Sequence, residues 1–149
     1  MEHFVVCSRG CTHWGAHGAA GLLLRGPQDR FLLVQRGLRT HQGGTWSVPG
    51  GAALQGEDPF AAALREAVEE LGTLPVVTPV REHRDDHGGW AYVTVIADVS
   101  QEFEPTDLGW ETADFRWVTA GEATDLDLHP GLRDAWPRLI LDGSDSEVA

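Results

Sequence analysis

Apolar positions along the chain recur with two different periods, and the change from one to the other predicts the order of its elements. Aliphatic-rich runs at residues 16–25 and 31–36 read as strands. A glycine-rich loop follows over 37–51. From Pro59 to Leu71 the period becomes helical: at about 100° per residue, Phe60, Leu64, Ala67 and Leu71 share one sector with Val68 at its edge, while Glu66, Glu69 and Glu70 line the far side. Asp58 is placed to cap the first orphan N–H groups, Pro59 suits the first helical position, and Gly72 suits a left-handed stop. Two more strands are expected at 76–84 and 90–99, joined by Asp85-Asp86-His87-Gly88-Gly89, which has the composition of a hairpin turn. A loop through Pro105 and Gly109 leads to a short strand at 115–118. The last periodic segment, 130–141, carries Leu132, Ala135, Trp136, Leu139 and Ile140 at helical spacing and is expected to cover one side of the sheet. Mixed strands and two helices make this an α/β chain.

Its 149 residues, 42% of them hydrophobic, suit one domain with a core of ordinary size. That domain is expected over 16–141, preceded by an N-terminal segment, 1–15, that would serve as an arm or edge strand, exchanged if the protein is a homodimer. An acidic tail, 142–149, is expected to fray. Apolar runs such as 19–24 and 31–34 are too short for a bilayer, and the N-terminus has no charged-then-apolar leader, so no membrane partner and a cytoplasmic location are expected.

Charge narrows the partners. A formal net charge of -12 leaves no basic stripe for a nucleic-acid polymer, and a small anionic substrate would need a metal escort. All eleven basic residues are arginine, which excludes a lysine Schiff base and a lysine-bearing phosphate loop. Cys7, Cys11, His13 and His17 form a C-x3-C-x-H-x3-H cluster with zinc-ligating residue types. Ligands this tightly spaced lack the long loop or hairpin of a tetrahedral structural site, so edge-strand or solvent-facing residues are the preferred reading.

The helix glutamates hold the chemistry. Carboxylates three and four residues apart repel: two charges about 5.5 Å apart at an effective dielectric of about 20 cost roughly 3 kcal/mol, a cost that a cation converts into affinity. Such oxygen clusters select hard cations, Mg²⁺ or Mn²⁺, which bridge phosphate oxygens. Taken alone, three glutamates are most simply a solvated helix face. Their neighbours change that reading: Gly51, five residues, Glu57, seven residues, Arg65-Glu66, then Glu69-Glu70 and Gly72. Seven fixed positions at roughly a tenth usage each coincide by chance about once in ten million windows.

This pattern resembles the signature of the Nudix hydrolases at every charged and glycine position; Ala67 and Thr73 stand where that family has bulky aliphatic residues. The loop 44–51 and the segment Phe115-Arg116-Trp117-Val118 are similar to the family as well. The resemblance implies an α/β/α sandwich with a mixed sheet. It also implies metal ligation by the Gly50 carbonyl, Glu66 and Glu70, with Glu69 binding a further metal or orienting water. Glu57 and Arg65 are expected to pair and hold loop to helix, with Gly51 and Gly72 shaping its two ends.

Glu111, six residues before Trp117, resembles the late-loop acid of the family, a ligand or base, with Glu102, Glu104 and Asp107 as substitutes. Arg36 resembles a phosphate contact; Arg39, Arg81 and Arg84 are alternatives. Trp46 is a candidate for base stacking but packing is the better reading, and Trp90 with Tyr92, alternating on one strand, suits stacking and core equally. His83, His87 and His129 read as solvated loop residues without a role. The function implied is Mg²⁺-dependent hydrolysis of a phosphoanhydride bond in a nucleoside triphosphate or another nucleoside diphosphate derivative, giving a nucleoside monophosphate and pyrophosphate or equivalents. ADP-ribose and dinucleotide polyphosphates are alternative substrates, and a non-catalytic nucleotide sensor or a purely structural module are rival roles. A base-reading asparagine is excluded in a chain without asparagine.

Overall fold

In the computed structural model, the described residues are 17–142, together with the strand backbone of residues 4–6 and 12–14. The chain begins with a small antiparallel pair, β1 (Phe4–Val6) and β2 (Thr12–Trp14). The main sheet has seven strands: β3 (Ala19–Arg25), β4 (Arg30–Arg36), β5 (Trp46–Ser47), β6 (Gly50–Ala52), β7 (Thr78–Asp86), β8 (Ala91–Asp98) and β9 (Thr112–Thr119). The helices are α1 (Pro59–Leu71), α2 (Ala120–Ala123) and α3 (Pro130–Asp142).

Strand side chains alternate between faces, and here that alternation sorts the core into two layers. Leu22 and Leu24 of β3, Leu32 and Val34 of β4, and Val93, Val95 and Ala97 of β8 pack with Ala62, Ala63, Ala67 and Leu71 of α1. Their neighbours Leu23, Phe31, Leu33 and Ile96 pack on the other side with Ala123 of α2 and Leu132, Trp136 and Leu139 of α3. The result is an open mixed sheet between helices, the expected sandwich.

The sheet is splayed where the site forms. β3 runs parallel to β8 over its whole length but meets β4 in register only at Arg25 and Phe31. Away from that point β6 pairs with β3, β5 pairs with β4, and β9 follows β4 antiparallel. Residues 46–52, expected as loop, thus contribute two very short strands that fill the opening between β3 and β4. The hairpin of β7 and β8 extends through Asp86 and Ala91, and turns over the residues between them.

Helix α1 starts and ends at the expected residues. The Asp58 carboxylate accepts from Phe60 N and Ala61 N at 3.1 and 3.2 Å, and Pro59 opens the first turn. At its end Gly72 has φ +87° and ψ -145°, so the stop uses glycine's positive φ but not the left-handed helical turn that was expected. The buried face is also wider than expected. Three alanines, Ala62, Ala63 and Ala67, bring the helix close to the sheet, and Glu66 and Glu70 are carried inward beside them, while Val68 is exposed. α2, absent from the expected elements, is capped by the reciprocal Thr119 and Glu122 pair. Among the described residues no helix is long and apolar enough to cross a membrane.

Candidate active site

A cleft of about 930 Å³ opens between α1 with β6 on one side and β7 with α3 on the other. Glu66, Glu69, Glu70 and Glu111 line it together with Gly50, Gly51, Arg36 and Arg65.

Arg65 ties the α1 wall together. Its Nε and Nη2 donate to the two carboxylate oxygens of Glu57 at 3.0 Å each, and Nη2 also donates to the Ala52 carbonyl at 3.0 Å. Nη1 donates to Glu66 at 3.0 Å and lies 3.5 Å from Glu69. Bidentate geometry of this kind is the strong form of the ion pair. The Arg65 hydrogen bonds, helped by the Leu54 N–H, hold the Glu57 carboxyl below its ordinary range, and Glu57 in turn raises the Arg65 guanidinium. The arrangement joins loop and helix as expected of the two residues.

Glu66 and Glu70 shift the other way. Burial pushes Glu70 up to about 8, against a hydrogen bond of 3.2 Å from the Gly50 N–H; the charges of Glu66 and Glu111 push in the same direction, and Arg36 opposes them. Glu66 is raised by burial and by Glu69, and lowered by Arg65. Gly51 allows the approach, because a Cβ there would sit 2.5 Å from the Glu66 carboxyl. Of the three helix glutamates only Glu69 is well exposed, at 60% of its side-chain surface. The expectation of three glutamates on a solvent-facing side is therefore corrected: Glu66 and Glu70 point into the cleft, where like charges accumulate under partial desolvation.

That donor set fits a hard divalent cation. Carboxylates crowded until one holds its proton near neutrality are groups that a cation would relieve. Among the described residues no three acidic, histidine or cysteine side chains already stand in ligand geometry; Glu70 is engaged with the Gly50 N–H and Glu66 with Arg65.

The remaining sequence candidates separate clearly. Glu111 lines the cleft, whereas Glu102 is paired with Arg30 at 2.6 Å, and Glu104 and Asp107 do not line the cleft. Arg36 lines it and donates from Nε to the His41 carbonyl at 2.7 Å. Arg39, Arg81 and Arg84 do not line it, and Arg81 donates to the Leu139 carbonyl of α3. Trp46 is only 6% exposed, packs in the α3 layer under the Arg116 guanidinium and has no face in the cleft, which corrects it as a stacking residue. Trp90 and Tyr92 both line the cleft, but Trp90 is buried against His87. The Tyr92 phenol, raised by burial and by the Glu70 charge, is packed over Gly21. The Cys7, Cys11, His13 and His17 cluster, the proposed arm and the acidic tail lie wholly or in large part outside the described residues.

The opposite wall was not foreseen. His41, His83, His87 and His129 all line the cleft, with Asp85 of β7, Asp134 and Arg138 of α3, and the exposed Trp110. His87 contacts Asp85 at 3.1 Å. The alternation of His83, Asp85 and His87 was a readable sign, since it places them on one face of β7 and of the residue just beyond its end; the α3 residues carry no such sign without the fold.

A model of the NUDIX domain matches residues 15–139. The chain belongs to the Nudix hydrolases. It is 42% identical over 151 aligned positions to a Mycobacterium tuberculosis protein named "Putative 8-oxo-dGTP diphosphatase 3", an alignment covering 93% of this chain and 68% of the relative. A nucleoside triphosphate pyrophosphatase/Nudix hydrolase fusion protein of Bifidobacterium longum is 35% identical across 93% of this chain, which spans 30% of the fusion. The crystal structure of RenU, a Nudix hydrolase from M. smegmatis, superposes with a TM-score of 0.87 at 37% identity, covering 99% of both chains. As a Nudix hydrolase the protein is a pyrophosphohydrolase of small nucleotides and belongs to a family that uses divalent metal ions.

Proposed function

We propose that this Nudix hydrolase is a Mg²⁺-dependent nucleoside triphosphate pyrophosphohydrolase, releasing a nucleoside monophosphate and pyrophosphate, with an 8-oxoguanine nucleotide as the leading substrate candidate. The observation that carries this reading is the convergence of Glu66, Glu70 and Glu111 with Gly50 at one end of a cleft that Arg36 also lines. The base assignment leans on the name of the M. tuberculosis relative, which shares 42% of aligned residues.

Glu66, Glu70 and the Gly50 carbonyl would hold the cation, and Glu111 stands close enough to act electrostatically on both glutamates. A cation held there would supply charge neutralisation for the phosphates and activation of the attacking water. Glu69, the most exposed of the helix carboxylates, is suited to receive the proton of the attacking water, with Glu111 as the alternative base. Arg36 has one donor on the His41 carbonyl and its other donors without partner among the described residues, which leaves them for a phosphate oxygen. Arg65 and Glu57 hold β6 against α1 so that these groups keep their positions.

Product release from nucleoside triphosphates, their 8-oxo forms, ADP-ribose and dinucleotide polyphosphates, each with Mg²⁺, with Mn²⁺ and with chelator, tests this reading. Chelator-sensitive pyrophosphate release, fastest with an 8-oxoguanine triphosphate, is expected. Metal-dependent binding of every nucleotide without turnover would replace the enzyme by a sensor.

A further inference from the structure

His129 stands directly before α3 and lines the cleft. Its Nδ1 accepts a hydrogen bond of 3.0 Å from the Gly131 backbone N–H, the second residue of the helix, so the imidazole takes the place that serine or aspartate usually fills as an N-cap. A backbone N–H can only donate. Nδ1 must therefore present a lone pair, and in the neutral ring the proton is on Nε2. The backbone fixes the ring from both sides: His129 N donates to the Trp46 carbonyl at 2.8 Å, and Arg133 N donates to the His129 carbonyl at 2.9 Å.

Nε2–H is thus an oriented donor, and it has no partner among the described residues. Arg36 lines the same cleft, and its charge acts both on the half-buried His129 ring and on Glu70, so it is near the carboxylates and near His129. A polyphosphate chain with one end at the carboxylates and its next oxygens at Arg36 would meet this donor.

We infer that His129 is a substrate-binding residue whose Nε2–H donates to a non-bridging phosphate oxygen beside Arg36, its tautomer set by capping α3. The inference rests on the phosphohydrolase reading above, but it assigns a role to a residue outside the carboxylate cluster and its metal. One side chain then does two jobs, and they can be separated. Asparagine at 129 can still cap, because its side-chain oxygen reaches the Gly131 N–H, but it cannot extend a second donor into the cleft; alanine loses both functions.

The test compares wild type, His129→Asn and His129→Ala by thermal melting, by steady-state kinetics on the best nucleotide, and by calorimetric binding of inorganic tripolyphosphate. In His129→Asn we expect an unchanged Tm, a KM raised roughly tenfold with kcat altered less than about threefold, and tripolyphosphate binding weakened by a similar factor. In His129→Ala the same binding loss should come with a lowered Tm. Unchanged KM and unchanged tripolyphosphate affinity in a stably folded His129→Asn would overturn the inference and leave His129 as a cap alone. Failure of the function reading looks different: wild type would turn over no nucleotide, and tripolyphosphate binding would still decide the role of His129.

Discussion

The two walls of the cleft are built in opposite ways. The α1 wall draws Glu57, Arg65, Glu66, Glu69 and Glu70 from one short stretch of chain, and Arg65 locks it by contacting Glu57, Glu66 and the Ala52 carbonyl. The facing wall takes His83 and Asp85 from β7, His129 from the entry to α3, and Asp134 and Arg138 from α3 itself. Neither Asp134 nor Arg138 has an ion-pair partner among the described residues. A wall of local, mutually bonded carboxylates suits chemistry that needs fixed geometry. A wall of separate polar side chains suits recognition of whatever the phosphates carry.

The largest effect expected from this contrast is catalytic. Glu69→Gln and Glu70→Gln should each lower kcat by roughly 10³-fold with the fold intact, whereas changes on the facing wall should act on KM. Steady-state kinetics with Mg²⁺ checks both, and full activity in either glutamine variant removes that glutamate from the site.

The same contrast explains how much could be read beforehand. The strands β3, β4, β7 and β8 and the helices α1 and α3 were legible because each is long enough to show a period, while β9 was legible only as its residues 115–118, through the family resemblance. β5 and β6 are two and three residues long, set in a glycine-rich stretch, and exist because the opening between β3 and β4 must be filled; no local pattern encodes that. α2 carried a readable Thr119-x-x-Glu122 capping box. The α1 wall was legible as a motif, but the inward turn of Glu66 and Glu70 follows from the small alanines beside them, which an outline of large apolar residues overlooks. The histidine wall joins positions from His41 to His129, so only the fold assembles it.

The next effect is a pH dependence that the α1 wall carries above pH 4.5. In the metal-free protein Glu70 titrates at about 8, above an ordinary carboxylate at 4.5. A carboxyl raised on folding contributes its full stability below the unfolded value and loses that contribution as pH climbs through the folded one. Glu70 should therefore cost the metal-free protein stability between about pH 4.5 and 8, by at most about 5 kcal/mol, with Glu66 acting in the same sense. Urea unfolding in chelator across that window should show a decline that Glu70→Gln flattens; parallel profiles for the two proteins would contradict the assignment.

Arg65→Ala is expected to be smaller in stability and mixed in kind. It leaves the Glu57 carboxylate and the Ala52 carbonyl without their partner, costing about 2 kcal/mol, a figure reduced because Arg65 is partly exposed, and turnover should fall with it. Denaturation midpoints and kinetics measured together show whether the wall acts as a unit; loss of one without the other would separate lock from chemistry. The smallest expected change is Arg138→Ala, about a threefold rise in KM with kcat and Tm unchanged, because this exposed side chain contributes only to recognition. A kcat loss there would erase the division between walls.

The central claim is that the carboxylates of the α1 wall form a divalent-metal site, and Mn²⁺ binding followed by electron paramagnetic resonance tests it most directly. Wild type should take up Mn²⁺ saturably in the absence of nucleotide, compete it with Mg²⁺, and lose at least about tenfold in affinity in Glu70→Gln. Equal Mn²⁺ affinity in wild type and in a folded Glu70→Gln would contradict the account.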